Sequence, residues 1–211
     1  MRDVLILVGA NAGPGILFTD PTGDHCLENV RVVMENPAAS AIQGGTLTQN
    51  GGINMTPARF RRMRLFAGAA HSKPLVALYG KGGGLNNITF EECWIEGALD
   101  GKAPLVVFEA TDDGLVADVN FEKCIFEIPI AGAIRFRSVS RVRVSACWAG
   151  DLERHPPTNP IFDINSASVD SISGAIPSQD YLFDTQQTDA GQHGAATTIA
   201  SARAETVGWC C

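Results

Sequence analysis

The chain has 211 residues, a formal net charge of −7 at pH 7 and 45% hydrophobic residues. This length fits a single domain. The negative charge argues against general binding of nucleic acid, which favours basic surfaces, and no apolar run reaches the roughly 18 residues that a membrane span requires.

The first element of the chain is the short apolar stretch Val4–Val8, which follows Asp3 and precedes a segment rich in Gly, Ala and Asn. The stretch is short for the apolar core of a signal peptide, and the acid before it is unusual there. We interpret residues 1–14 as an N-terminal cap strand of the domain that follows.

The centre of the chain repeats one pattern of two strand-like segments joined by a corner. It is clearest in 85–95, and it returns in 119–126 and 142–149. Apolar residues alternate with period 2 on either side of two residues that break the alternation, which predicts a strand, a corner and a second strand. Looser copies occupy 32–37, 58–65 and 169–172.

Two columns of residues keep step along these copies. The residues before the corner form the first column and lie about 23 to 31 positions apart: Met34, Phe60, Phe90, Phe121, Val144 and Val169. A second strand recurs before each later corner, in 74–78, 104–108, 133–136 and 160–164. Two columns in step are typical of the coils of a solenoid.

Three of the six cysteines share one position of the repeat, just after the corner: Cys93, Cys124 and Cys147. We expect them to stack inside the solenoid as small buried hydrophobic residues. A metal site would need His or further Cys nearby, so the sequence predicts no metal and no cofactor. Cys26 lies outside the column, and Cys210 and Cys211 end the chain. This set fits a reducing compartment.

The pattern resembles the right-handed parallel β-helix of the pectate-lyase-like superfamily, whose coils often read N-I-x-I-x-N-C-x-F; the nearest local match is Asn87-Ile-Thr-Phe-Glu-Glu-Cys-Trp-Ile95. The resemblance implies an all-β fold of about six to seven coils over residues 15–185, followed by a C-terminal tail, 186–211. The corner Asn of that family is matched only at Asn36, because Glu92, Lys123 and Ala146 stand at later corners.

Outward charges follow the same register. It places Arg61 opposite Glu91 and Arg62 opposite Glu92 on the next coil. Two further pairs are predicted, Glu109 with Arg137 and Arg135 with Asp163. A solvated charge ladder explains them, at a few tenths of a kcal/mol per pair, and a basic site for an anionic sugar is the alternative.

The outward position after the corner holds Trp94, Ile125 and Trp148 on three successive coils. An outward apolar column of this kind normally meets another surface. Either a loop of the same chain or a second subunit covers it. The tail carries Trp209, which we predict as a further anchor of an oligomer contact.

The turn Thr111-Asp-Asp-Gly114 is the candidate catalytic site, because paired carboxylates can serve a hydrolase or bind Ca²⁺. The same residues also make an ordinary turn. The resemblance implies that a glycoside hydrolase of the superfamily would add a Gly-His-Gly and then an Arg-x-Lys. Only Gln192-His-Gly194 is present, beyond the coils, so Asp112 and Asp113 remain an alternative interpretation.

Short β-helices without a catalytic set resemble the proteins that tailed bacteriophages use as spikes or head decoration. We therefore expect a non-catalytic structural protein of a virion surface, a homotrimeric decoration (cement) or tailspike-like protein made in the host cytoplasm. Its expected partners are further copies of itself and capsid or tail proteins, with neither nucleic acid nor membrane. The alternatives are a polysaccharide lyase, a glycoside hydrolase or a glycan-binding β-helix that contacts a surface polysaccharide, and a bacterial adhesin.

Overall fold

The computed structural model describes residues 1–19, 24–48, 51–111, 114–137, 141–150, 154–155, 157–159, 161–165 and 169–173. The fold is all-β, as the repeat predicts, and the described residues contain no helix. It is a parallel β-solenoid of about five turns.

The described strands, numbered in chain order, are β1 (Arg2–Val8), β2 (Ile16–Phe18), β3 (His25–Met34), β4 (Ile42–Gly44), β5 (Ile53–Met55), β6 (Ala58–Arg61), β7 (Arg64–Ala67), β8 (Val76–Glu91), β9 (Trp94–Glu96), β10 (Val106–Thr111), β11 (Val116–Glu122), β12 (Ile125–Glu127), β13 (Ile134–Arg137), β14 (Val142–Ser145), β15 (Trp148–Gly150), β16 (Phe162–Asn165) and β17 (Val169–Ser173).

Parallel pairing gathers these strands into three walls. The first wall contains β2, β4, the start of β8, β10, β13 and β16. The second contains the start of β3, β6, the end of β8, β11, β14 and β17. The third contains β1, the end of β3, β7, β9, β12 and β15. Side chains alternate between the interior and the outside of each wall.

One corner, between the second and third walls, repeats with the same backbone conformation. Six residues there have φ between 51° and 55°: Asp3, Asn29, Arg62, Glu92, Lys123 and Ala146. This left-handed conformation is uncommon outside Gly and is easiest for Asn and Asp. In the described part of the chain, six such corners bound about five turns, slightly fewer than the six to seven coils expected.

Stacked phenylalanines fill the interior beneath the second wall. The rings of Phe60 and Phe90 lie 4.5 Å apart and those of Phe90 and Phe121 lie 5.0 Å apart, with 14° between the planes in both pairs. Phe108 of the first wall meets Phe90 and Phe121 edge-on. Each of these rings is fully buried, so the ladder is a continuous core.

The predicted cysteine column is confirmed. Cys93, Cys124 and Cys147 are free and buried. The Cys93 thiol donates to the Phe60 carbonyl at 3.3 Å and that of Cys124 to the Phe90 carbonyl at 3.4 Å. Hydrogen bonding to Cys124 and, to a smaller extent, burial raise the pKa of the Cys147 thiol. These three cysteines are therefore core residues.

The predicted register holds for Phe60, Phe90, Phe121 and Val144, and it is wrong at both ends. Leu27, not Met34, pairs with Phe60, because the corner of that turn is Asn29 instead of Asn36. At the other end a register shift places Ile172, rather than Val169, beside Val144.

Candidate interaction surface

The predicted apolar column exists on the outside of the third wall. Ile125 pairs with Trp94 on one side and with Trp148 on the other. Trp148 is 42% exposed, and Trp94 and Ile125 are half-buried. The three side chains therefore form one stripe that is only partly covered by the described part of the chain.

The stripe is one section of a longer outer surface. Following the same pairings toward the N-terminus gives a stripe ladder of Leu5, Arg31, Arg64, Trp94, Ile125 and Trp148. Two residues further along each strand runs a flanking ladder of Leu7, Val33, Phe66, Glu96, Glu127 and Gly150. We call these two ladders together the interaction face.

Leu5 and Leu7 are the most exposed apolar residues of this face, at 59% and 72%. The sequence predicted only that Leu5 and Leu7 belong to a cap strand, and not that they lie on this face. Pairing of Leu5 with Arg31 and of Leu7 with Val33 puts them there. Large apolar side chains in a continuous patch are unusual on an isolated surface and typical of an interface.

Aromatic and cationic groups pack against each other in the middle of the face. The rings of Phe66 and Trp94 lie 6.2 Å apart, and the Arg31 guanidinium lies 4.9 Å from the Phe66 ring centre. The indole N–H of Trp94 is buried and finds no hydrogen-bond acceptor within the described part of the chain. The centre of the face is therefore ordered, with one polar group left unsatisfied.

Gly150 makes room for the Trp148 ring. A β-carbon added at Gly150 would collide with the six-membered ring of Trp148. The indole thus lies across the glycine of its own strand and presents a flat apolar surface at the C-terminal end of the face.

Charges on the face are segregated along the solenoid. Arg31 and Arg64 lie toward the N-terminal end, and Glu96 and Glu127 are neighbours toward the C-terminal end. Burial and the charge of Glu127 raise the pKa of the Glu96 carboxyl, against the opposing effect of Arg31. Two like charges side by side in a ladder are unfavourable unless something compensates them.

The outside of the second wall contrasts with this arrangement. There the predicted pairs are confirmed: Arg61 lies 3.6 Å from Glu91 and Arg62 lies 3.1 Å from Glu92. Glu28 meets Arg61 at 3.7 Å on its other side. The hydrogen bond from Arg62 lowers the pKa of the Glu92 carboxyl. Arg and Glu therefore alternate from Arg2 to Glu91, and Glu122, which follows Glu91 in the ladder, is paired with Lys123 at 3.4 Å.

On the first wall Asp163 is held by two arginines. Arg135 lies 2.9 Å away, as predicted, and Arg137 lies 2.7 Å away. Burial by itself would raise the pKa of Asp163. The hydrogen bonds and charges of these two arginines outweigh burial and keep that pKa below its usual range. Glu109 pairs with Arg137 in the ladder, as predicted, while the Arg137 guanidinium turns to Asp163.

The catalytic candidates Asp112 and Asp113 and the tail anchor Trp209 lie outside the described residues. Within the described ranges, no group of three His, Cys, Asp or Glu side chains is placed to hold a metal ion. The same part of the chain has no helix long and apolar enough to cross a membrane.

Comparison with protein-family models, with curated proteins and with solved structures found no match for this chain.

Proposed function

We propose that the protein is a non-catalytic structural component of a virion surface, a head-decoration (cement) or spike protein, that works as a homo-oligomer. A threefold assembly is the stoichiometry that its resemblance to phage β-helices implies. Capsid or tail proteins are the further partners in this proposal.

The observation that carries the proposal is the interaction face. It joins exposed leucines at one end to Trp148 at the other, along the full height of the third wall. Burial of apolar surface contributes about 25 cal/mol per Å², so a face of this composition gains free energy when it meets a matching surface. A structural subunit needs such a face, and a freely diffusing monomer does not.

The paired carboxylates of the other walls support a structural role over catalysis. Asp163, Glu92 and Asp118 each accept hydrogen bonds from arginine, and each has a lowered pKa. A general acid needs a raised pKa, so these three groups are unsuited to that work. Their pairs tie successive turns together instead.

Two measurements test this proposal. Light scattering on the full chain should give more than one copy per particle, and Trp148→Lys should lower that mass. Particles from the virus or cell that encodes the chain are separated on a density gradient and analysed by mass spectrometry. The chain should be found in the band that contains the particles. A monomer at every concentration, together with absence from particles, would contradict the proposal.

Binding or cleavage of a surface polysaccharide is the second candidate. Trp94 and Trp148 offer flat rings of the kind that stack on sugars, and Glu96, on the same rung as Trp94, has a raised carboxyl pKa, as a general acid requires. A screen of acidic and neutral polysaccharides tests this function. Loss of activity in Glu96→Gln would place the catalytic site on the third wall. Loss of activity in Asp112→Asn or Asp113→Asn would place it at the predicted turn.

A further inference from the structure

We propose that the interaction face binds a second copy of this chain in antiparallel orientation, about a twofold axis that crosses the middle of the face. This inference rests on the proposed self-association and specifies its geometry. Its occupant is therefore an identical face running in the opposite direction along the solenoid axis.

The order of residues along the face carries the inference. Each turn contributes one rung, a residue of the stripe ladder with its neighbour in the flanking ladder. From the N-terminal end the rungs are Leu5/Leu7, Arg31/Val33, Arg64/Phe66, Trp94/Glu96, Ile125/Glu127 and Trp148/Gly150. The two end rungs are uncharged, the second and third are basic, and the fourth and fifth are acidic.

An antiparallel pair matches these rungs. The first rung of one copy faces the sixth of the other, so Leu5 and Leu7 meet Trp148. The second and third rungs face the fifth and fourth, so both arginines meet the rungs of Glu96 and Glu127. A twofold interface repeats each of these contacts twice.

A parallel arrangement makes the opposite matches. Around a threefold axis that runs along the solenoid, each rung lies beside the same rung of the next copy. Arg31 and Arg64 then approach their own counterparts, and so do Glu96 and Glu127. Like charges brought together across an interface are unfavourable, so the charge order favours the twofold arrangement for this face.

The charges are not balanced within one copy. Arg31 stacks on Phe66, Arg64 is exposed, and burial and the neighbouring Glu127 raise the pKa of the Glu96 carboxyl more than Arg31 lowers it. A second antiparallel copy brings an arginine to each acidic rung. It also covers Leu5, Leu7 and Trp148, which are the exposed apolar residues of the face.

The size of the face predicts a reversible pair. Five steps of about 4.8 Å give a height of about 24 Å, and two ladders with their side chains span about 15 Å. The resulting area of roughly 400 Å² per copy is about half that of a standard stable interface. The pair should therefore dissociate on dilution and weaken at high salt, which screens exposed charges.

Charge reversal tests the geometry by sedimentation velocity on the full chain. Arg31→Glu with Arg64→Glu makes four rungs acidic, and Glu96→Arg with Glu127→Arg makes four rungs basic. We expect each double variant to weaken its own dimer at least tenfold, and an equal mixture to form a heterodimer. The control is Arg59→Glu with Arg143→Glu, which makes the same charge change on the second wall and should leave the dimer intact.

The same variants separate this inference from the proposed function. A wild-type trimer, or double variants that associate like wild type, would overturn the antiparallel geometry and leave the structural role standing. A monomeric wild type at every concentration would overturn the antiparallel pair, and its absence from particles as well would overturn the structural role. Circular dichroism checks folding. If the Glu96 substitution unfolds the chain, Arg31→Glu and Glu127→Arg, which face each other in the pair, carry the same mixing test.

Discussion

The second and third walls of the solenoid face the same water, but their outer ladders are built differently. On the second wall Arg2, Glu28, Arg61 and Glu91 follow one another, with ion pairs of 2.6, 3.7 and 3.6 Å. On the third wall both arginines lie on adjacent turns, both glutamates follow, and apolar side chains lie between and beyond them.

This difference separates a finished surface from an incomplete one. Alternating charges neutralise one another inside the chain and need no partner, although each exposed pair contributes little stability. Segregated charges and exposed leucines are compensated more fully when another surface covers them. The two walls share one interior, but their outward side chains lie on different faces. Substitutions of outward residues can therefore change one face without the other.

The largest losses of stability should come from that shared interior, and they should be alike for both walls. Phe90→Ala beneath the second wall and Phe126→Ala beneath the third each remove a fully buried ring. Each should lower the free energy of unfolding by about 3–5 kcal/mol, measured by denaturant titration. Phe18→Ala is the control and should cost less, since Phe18 is half-buried at the end of the stack. A much smaller loss at Phe126 would mean that the walls differ inside as well as outside.

Acidification should destabilise the interior without involving either outer face. His71 is 3% exposed, and its Nε2 lies 3.1 Å from the Ala103 carbonyl. Burial lowers the pKa of His71 despite this bond, so the unfolded chain binds more protons below about pH 6.5. Stability should be complete above that pH and fall as the pH drops toward the folded pKa, by at most about 1.4 kcal/mol per pH unit.

His71→Gln keeps a donor for the Ala103 carbonyl and removes the titration. Its unfolding free energy should therefore vary less between pH 6.5 and 5 than that of the wild type. An unchanged pH slope would show that another group causes the loss.

Gly150→Ala should disturb the outer face of the third wall and leave that of the second wall unchanged. The added methyl displaces the Trp148 ring from its seat, so association should weaken about fivefold while the monomer stays folded. Sedimentation and a shift of tryptophan emission to longer wavelength measure the two effects. Gly13→Ala is the control, because a β-carbon there meets nothing within 4 Å. Equal effects of the two substitutions would contradict the role of the Trp148 seat.

The smallest effects come from two arginines three residues apart. Arg61→Ala removes ion pairs of the second wall and should cost about 0.5 kcal/mol of stability, with no change of molar mass. Arg64→Ala on the third wall should leave stability within that range and weaken association. The two walls would not differ as described if Arg61→Ala, and not Arg64→Ala, lowered the mass.

The sequence predicted the fold well where side-chain alternation has a clear phase. Phe60, Phe90 and Phe121 each precede two polar residues and then Met or Cys, so their ladder and the Arg–Glu pairs beside it were confirmed. At Met34 the same pattern misled, because Glu35-Asn36 also looks like a corner. Proline disfavours helical conformations of the residue before it, so Pro37 was a signal against a corner at Asn36, and the structure has the corner at Asn29.

The extent of the interaction face could not be predicted from the N-terminal residues. Five successive apolar residues, Val4–Val8, give no alternation that separates an inward from an outward side. Only the pairing with β3 shows that Leu5 and Leu7 point outward. The segregation of charge was equally hidden, because only the turns of the solenoid bring Arg31, Arg64, Glu96 and Glu127 onto one face.

Molar mass measured against concentration shows whether the third wall joins copies of this chain. Light scattering on the full chain should show a monomer that becomes a dimer as concentration rises. Trp94→Lys with Trp148→Lys should remain monomeric over the same range, and Arg59→Glu with Arg143→Glu should follow the wild type. A double-lysine variant that associates like the wild type would contradict the account.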